Sequence, residues 1–125
     1  YNYSEISKFF FKKFYKSDTN LFFELLQNAK IEKIKNSSGF FSYILLNKSK
    51  MHLSGGRDLL GKKPLYYYFD DEYAIFASEE SAILKLLNTK VSINKKSLLS
   101  YFHFKSIYFG HSIFNNIYYV SSGNN

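Results

Sequence analysis

The only proline in this chain, Pro64, sits in the dense run Arg57-Asp58-Leu59-Leu60-Gly61-Lys62-Lys63-Pro64-Leu65-Tyr66-Tyr67, and Ala77-Ser78-Glu79 follows ten residues later. Proline fixes φ and has no N–H to donate, while glycine serves where the backbone must turn sharply, so this run must be a shaped connection rather than the inside of a helix. Everything before and after it has to fit a chain that turns here.

Before the run, Ser4 to Tyr15 spaces Ile6, Phe9, Phe10 and Phe14 close to a helical repeat with Lys8, Lys12, Lys13 and Lys16 between them, which predicts an amphipathic helix capped by Ser4. Phe9, Phe10, Phe11 and Phe14 are assigned to the core. A second helix is predicted after Ser17-Asp18, with Asp18 as its cap and Leu21, Phe22, Leu25 and Leu26 on one face. Gln27 to Lys35 reads as a short polar helix or turn. Phe40 to Leu46 is apolar on both alternating faces, which predicts a strand covered on both sides, and Met51 to Arg57 a second strand beyond an Asn-Lys-Ser-Lys turn. Leu65–Phe69 and Tyr73–Ala77, joined by Asp70-Asp71-Glu72, outline a hairpin. Ser78 is placed as the cap of a helix through Leu87, with Glu79 and Glu80 as its first-turn acids, and Asn94 as the cap of a helix containing Leu98, Leu99, Tyr101 and Phe102. Ser112 to Val120 reads as an extended segment with a turn at Asn115-Asn116. Helices, then strands, then helices predict an α+β domain with a mostly antiparallel sheet.

With 125 residues, 46% of them apolar, the chain suits one domain with a core of its own. It has no cysteine, which excludes disulfides, thiolate metal sites and a cysteine nucleophile within these residues. The net charge of +7 invites a nucleic-acid interface, but the lysines are dispersed and Arg57 is the only arginine, so no nucleic acid is expected. No apolar run approaches the roughly 20 residues that span a bilayer. A soluble cytoplasmic protein, without membrane contact, is the expectation. His52, His103 and His111 are scattered without an acid at ligand spacing, so no metal site is expected. Gly55-Gly56 with Lys62 and Lys63 lacks the spacing and following helix of a phosphate loop. The opening on Tyr1 and the close on Ser-Ser-Gly-Asn-Asn suggest a segment of a longer protein.

The run from Gly56-Arg57-Asp58 to Tyr67, with Ala77-Ser78-Glu79, resembles the signature of the glutamine-dependent asparagine synthetase family in its class II glutamine amidotransferase domain. Other blocks fall in the family's order. They are Tyr1-Asn2-Tyr3, Lys16-Ser17-Asp18-Thr19 (with Asn20 where an acid is usual), Ser38-Gly39-Phe40-Phe41-Ser42, and Ser112-Ile113-Phe114-Asn115-Asn116-Ile117 with Gly123. The resemblance implies a four-layer αββα N-terminal nucleophile hydrolase fold, here incomplete at the N-terminus, with residues 1–125 forming part of the domain. It implies that an N-terminal cysteine attacks the glutamine amide, that an Asn side chain and a Gly amide form the oxyanion hole, and that all of these, with a substrate-clamping Arg, lie upstream. No catalytic residue is therefore assigned within the chain, and the isolated segment is expected to be inactive, with an unpaired sheet edge and poor solubility.

Asp18 matches the aspartate that receives the α-ammonium of substrate glutamine in the family; a helix cap is the alternative role, and the two can coexist. Adjacent Arg57 and Asp58 point to opposite faces of a strand and do not converge on one substrate atom, so they are assigned, with Gly61 and Pro64, a structural or interdomain role. The implied partners are glutamine and a C-terminal synthetase domain of the same chain, with homodimerisation left open. ATP and Mg2+ are implied for that synthetase domain and no cofactor for these residues. The alternative is a non-catalytic scaffold domain of a β-lactam-synthetase-like or peptide-cyclase-like amide-forming enzyme. An amidotransferase acting on a sugar phosphate or phosphoribosyl acceptor is disfavoured by Lys63-Pro64-Leu65-Tyr66-Tyr67.

Overall fold

Two short helices lead into two hairpins, and the computed structural model describes them through residues 3–11, 15–28, 38–87, 90–108 and 110–123. Helices α1 (Tyr3–Phe11) and α2 (Asp18–Gln27) precede strands β1 (Ser42–Asn47), β2 (His52–Arg57), β3 (Tyr66–Phe69) and β4 (Ala74–Ala77). Helices α3 (Glu80–Leu87) and α4 (Lys95–Phe104) and strand β5 (Ile117–Tyr119) follow. Among the described residues this is a mixed α and β architecture in which every strand pairing is antiparallel. The described strands divide into two sheets, one of β1 and β2 and one in the order β4-β3-β5, where the pattern of residues alone predicted one sheet and the family resemblance two.

The helix ends show which side chains the backbone selects. Ser17, not Asp18, caps α2: its Oγ accepts from the Asn20 amide at 3.3 Å, and Asp18 is the first helical residue. Both are good capping types, and the one that keeps an extended backbone, Ser17, takes the role. Ser4 lies inside the first turn of α1 rather than at its cap, and Tyr15, predicted as its last residue, lies outside the helix. Opening α3 at Glu80 puts Glu79 rather than Ser78 at the cap position. Asn94 caps α4 as expected, its Oδ1 accepting from Lys96 and Ser97 at 3.1 and 3.2 Å. Most of Gln27–Lys35, residue Phe14 and the side chains of Phe9, Phe10 and Phe11 lie outside what the structure describes.

The α2 core is built from Leu21 and Leu25, both almost fully buried, with Ile6 from α1 and Tyr15. Phe22 of α2 packs on Phe41 with tilted rings, 4.6 Å between centroids, and meets Tyr43 of β1 at 5.4 Å, so α2 covers the Tyr43 face of the first sheet. The opposite face is open: Ile44, Leu46 and Leu53 are exposed, which corrects the expectation of a strand covered on both sides. An unbroken apolar run cannot by itself distinguish one covered face from two.

The second sheet is held by aromatic pairs in cross-strand register, Tyr66 with Tyr119 and Tyr67 with both Phe76 and Tyr118. Asp70 closes its hairpin, accepting from the amides of Glu72 and Tyr73 and from the Tyr68 hydroxyl at 2.7 Å. The Tyr68 hydrogen bond and these amides hold its carboxyl below the ordinary value. Ile83 of α3, wholly buried, packs this sheet from one side.

Leu25→Ala leaves a cavity where α2 meets its core and is expected to lower unfolding stability by about 2–5 kcal/mol. Leu86→Ser, on the exposed side of α3, is expected to change it by less than about 0.5 kcal/mol. Urea unfolding of the two variants side by side checks the contrast.

Candidate functional site

The signature run folds into a loop organised by two adjacent buried charges. Arg57 ends β2 and Asp58 follows it, each with only 2% of its surface exposed. Alternation along a strand sends the two side chains different ways, and each finds main-chain partners. The Arg57 guanidinium donates from Nε to the Lys63 carbonyl at 2.6 Å, from Nη1 to the Val120 carbonyl at 2.6 Å, and from Nη2 to the Gly61 carbonyl. Its plane lies over the Tyr119 ring, 4.2 Å from the centroid.

Asp58 Oδ1 accepts from the amides of Leu60 and Lys62, both at 3.1 Å, and Oδ2 from those of Lys63 and Phe41, both at 3.3 Å. Burial pushes the Asp58 carboxyl up, but the amides of Lys62, Lys63, Phe41 and Leu60 prevail and hold it below the ordinary carboxylate value. The backbone of Asp58 is equally engaged. Its amide donates to the Phe41 carbonyl at 2.9 Å, and its carbonyl accepts from Gly61 and Gly123.

Gly61 has a φ of +63°, and a Cβ there would stand 2.9 Å from the Ser122 Cβ and 3.0 Å from Arg57 Nη2. Only glycine fits both the backbone and the space. Pro64 follows Lys63, whose amide and carbonyl are both taken by the Asp58 and Arg57 side chains. The proline ring disfavours helical backbone at Lys63.

Asp18 stands away from this loop at the start of α2, half-buried, its Oδ1 accepting from the Thr19 amide at 2.8 Å. The two places are joined through Phe41, whose ring packs tilted against Phe22 one turn along α2 and whose backbone exchanges two hydrogen bonds with Asp58. Sequence reasoning missed Phe41, Tyr119 and Val120. Two of the three contribute main-chain groups, which leave no trace in residue type, and Val120 lies 63 positions from Arg57.

Gly55 and Gly56 are paired inside β2 opposite Ile44 and Tyr43, so they form no phosphate loop. His52 is exposed at the start of β2. His103 and His111 come together on a cleft of about 590 Å3 with Phe104 and Tyr108, which their sequence separation did not indicate. Among the described residues no cluster of three or more His, Cys, Asp or Glu is arranged to hold a metal ion. A second cleft, of about 540 Å3, lies along α2 between Tyr15, Asn20, Phe23 and Glu24. Burial and then the neighbouring Glu24 push the Tyr15 phenol up to about 12. Among the described residues no helix is long and apolar enough to cross a membrane.

Removing the guanidinium would leave three part-buried carbonyls without their donor, so Arg57→Met is expected to cost about 3–5 kcal/mol of stability in urea unfolding, with Arg57→Lys recovering only part. Asp58 has a depressed folded pKa. Its contribution is therefore fully present above the ordinary value near 3.8 and is lost as pH falls from there through the lower folded value. Thermal melts from pH 6 downward are expected to show wild type losing stability over that window, while the smaller stability of Asp58→Asn stays flatter there.

Residues 1–125 match the family model described as a glutamine amidotransferase domain. The chain is 33% identical over 128 positions to a Methanocaldococcus jannaschii protein named "Putative asparagine synthetase (glutamine-hydrolyzing) 2", an alignment that covers all of this chain and 25% of that protein. It is 32% identical over 111 positions to "Asparagine synthetase (glutamine-hydrolyzing) 1" of Bacillus subtilis, covering 86% of this chain and 17% of that protein. The chain thus spans a quarter or less of the length of these curated relatives. No solved structure matches it. With the whole chain matched, and with the loop of Arg57, Asp58, Gly61 and Pro64 in place, the chain belongs to the glutamine amidotransferase domain family.

Proposed function

We propose that this chain is the glutaminase part of a glutamine-dependent asparagine synthetase, releasing ammonia from glutamine for an ATP-dependent conversion of aspartate to asparagine. The match of the whole chain to the family carries the proposal, together with the retention of an aspartate at position 18 at the head of α2. In this reading the two antiparallel sheets belong to a four-layer αββα arrangement. The nucleophilic cysteine and the oxyanion hole come from residues other than these 125, which contain no cysteine. ATP and Mg2+ belong to the synthetase part, where they would supply activation of the acceptor carboxylate, and the enzyme works in the cytoplasm.

The role of this chain is to bind and orient glutamine. A carboxylate at the first helical position, half-removed from water, suits an α-ammonium, because a charge-assisted hydrogen bond gains strength as water is excluded. Its Oδ1 is turned toward the Thr19 amide, which fixes the plane of the carboxyl. Anchoring the ammonium end leaves the side-chain amide of glutamine to extend toward the nucleophile. The retained aspartate also favours a working glutaminase over a scaffold, which has no need of it.

In the whole protein, Asp18→Asn is expected to raise KM for glutamine about 10- to 100-fold, the equivalent of roughly 1.5–3 kcal/mol for a hydrogen bond to a charged group. Asparagine synthesis from free ammonia should be unchanged. An unaltered KM for glutamine would remove Asp18 from the site. The 125 residues by themselves are expected to release no ammonia from glutamine, as followed by a coupled glutamate assay.

A further inference from the structure

Helix α4 and the turn after it carry five large apolar side chains that the described structure leaves open: Leu99, Tyr101, Phe102, Phe104 and Tyr108, between 46% and 78% exposed. Leu99, Phe104 and Tyr108 line one cleft together with His103 and His111, while Tyr101 and Phe102 lie outside its lining. Aromatic side chains bury about 150–250 Å2 each when fully covered, so covering the cleft side of the helix would bury a few hundred Å2, which suits part of an interdomain contact of about 600–1,500 Å2 in all. Helix α4 makes no substantial packing against another described helix or strand. It is nevertheless fixed in place at its start. The Asn94 amide donates to the Ile113 carbonyl at 2.8 Å, and the Asn115 side chain donates to Ser92 Oγ at 2.8 Å. A helix so anchored and so bare is a prepared surface rather than a frayed one.

We infer that this α4 face is the seat of the synthetase part of the same polypeptide, an inference that rests on the proposed function. The Methanocaldococcus jannaschii relative that matches the whole chain is about four times its length, so a large covalently joined body is available to cover this side of α4. A second copy of this chain suits it less well. An isologous contact would bring Lys95, Lys96 and Lys105, which flank the patch, toward the same three lysines of the other copy, and like charges at a rim oppose association. The complementary surface would be apolar with an acidic border.

Hydroxyl-radical footprinting of the whole native protein tests this, with Phe69 and Tyr73 at the β3–β4 hairpin as internal references because they are as exposed as the α4 group. Oxidation of Phe102, Phe104 and Tyr108 is expected to be several-fold slower than that of the references and independent of protein concentration. Equal rates would overturn the inference, and protection that disappears on dilution would assign the face to a second copy instead. Protection that persists in a protein unable to make asparagine from glutamine would leave the interdomain face standing while removing the functional reading.

Discussion

A buried guanidinium ties the first sheet to the second. Taking an arginine out of water costs several kcal/mol unless its donors are met, and Arg57 meets the cost with three carbonyls and an aromatic face. Two of those carbonyls, from Gly61 and Lys63, belong to the loop that leaves the first sheet. The third, from Val120, belongs to the segment leaving β5 in the second. Planarity explains why the one arginine of this lysine-rich chain sits here. A fixed fork reaches three acceptors in different directions and still stacks on Tyr119, which a flexible ammonium cannot do.

Asp58 extends the same logic to the helical side. By accepting four amides it makes a rigid nest of the residues from Leu60 to Lys63, and by gripping Phe41 it sets the entry to β1. Phe41 is the ring on which Phe22 packs, so the height of α2 over the first sheet depends on the Asp58 carboxylate. Asp18 opens that helix. A positioning error of the order of 1 Å at a binding carboxylate can cost two orders of magnitude in rate, so on the proposed role of Asp18 the loop matters to glutamine without touching it.

The pattern of residues foretold most elements because local rules determine them. The β3–β4 hairpin follows from alternating aromatics around Asp70, and α4 from Asn94 before an apolar repeat. Where two candidates compete locally, as Ser17 and Asp18 do for one cap, type alone cannot choose, and backbone geometry does. The division into two sheets was out of reach of the residue pattern and was implied only by the family resemblance, since the pairing of Tyr66–Tyr68 with Ile117–Tyr119 crosses about fifty residues and depends on no local motif. The structural assignment of Arg57 and Asp58 came from strand alternation, but their partners are carbonyls and amides, which every residue possesses.

The aromatic richness of the chain acquires two meanings in the structure. In the second sheet, tyrosines stack across strands in register and stiffen a platform. On α4 the same residue types stand exposed. The two are mechanically joined, because the Asn94–Ile113 and Asn115–Ser92 hydrogen bonds seat α4 on the segment that becomes β5, and Val120 at the end of β5 receives the Arg57 guanidinium. From there Asp58, Phe41 and Phe22 lead to Asp18. Such a chain of contacts transmits a signal only if some element in it has two discrete arrangements. Its members here are hydrogen-bond clusters and packed rings, which favour one arrangement. On the proposed function, the path is better suited to holding the Asp18 carboxylate at a constant position relative to the α4 face, so that a body docked on that face would meet the proposed glutamine-binding end in a fixed register.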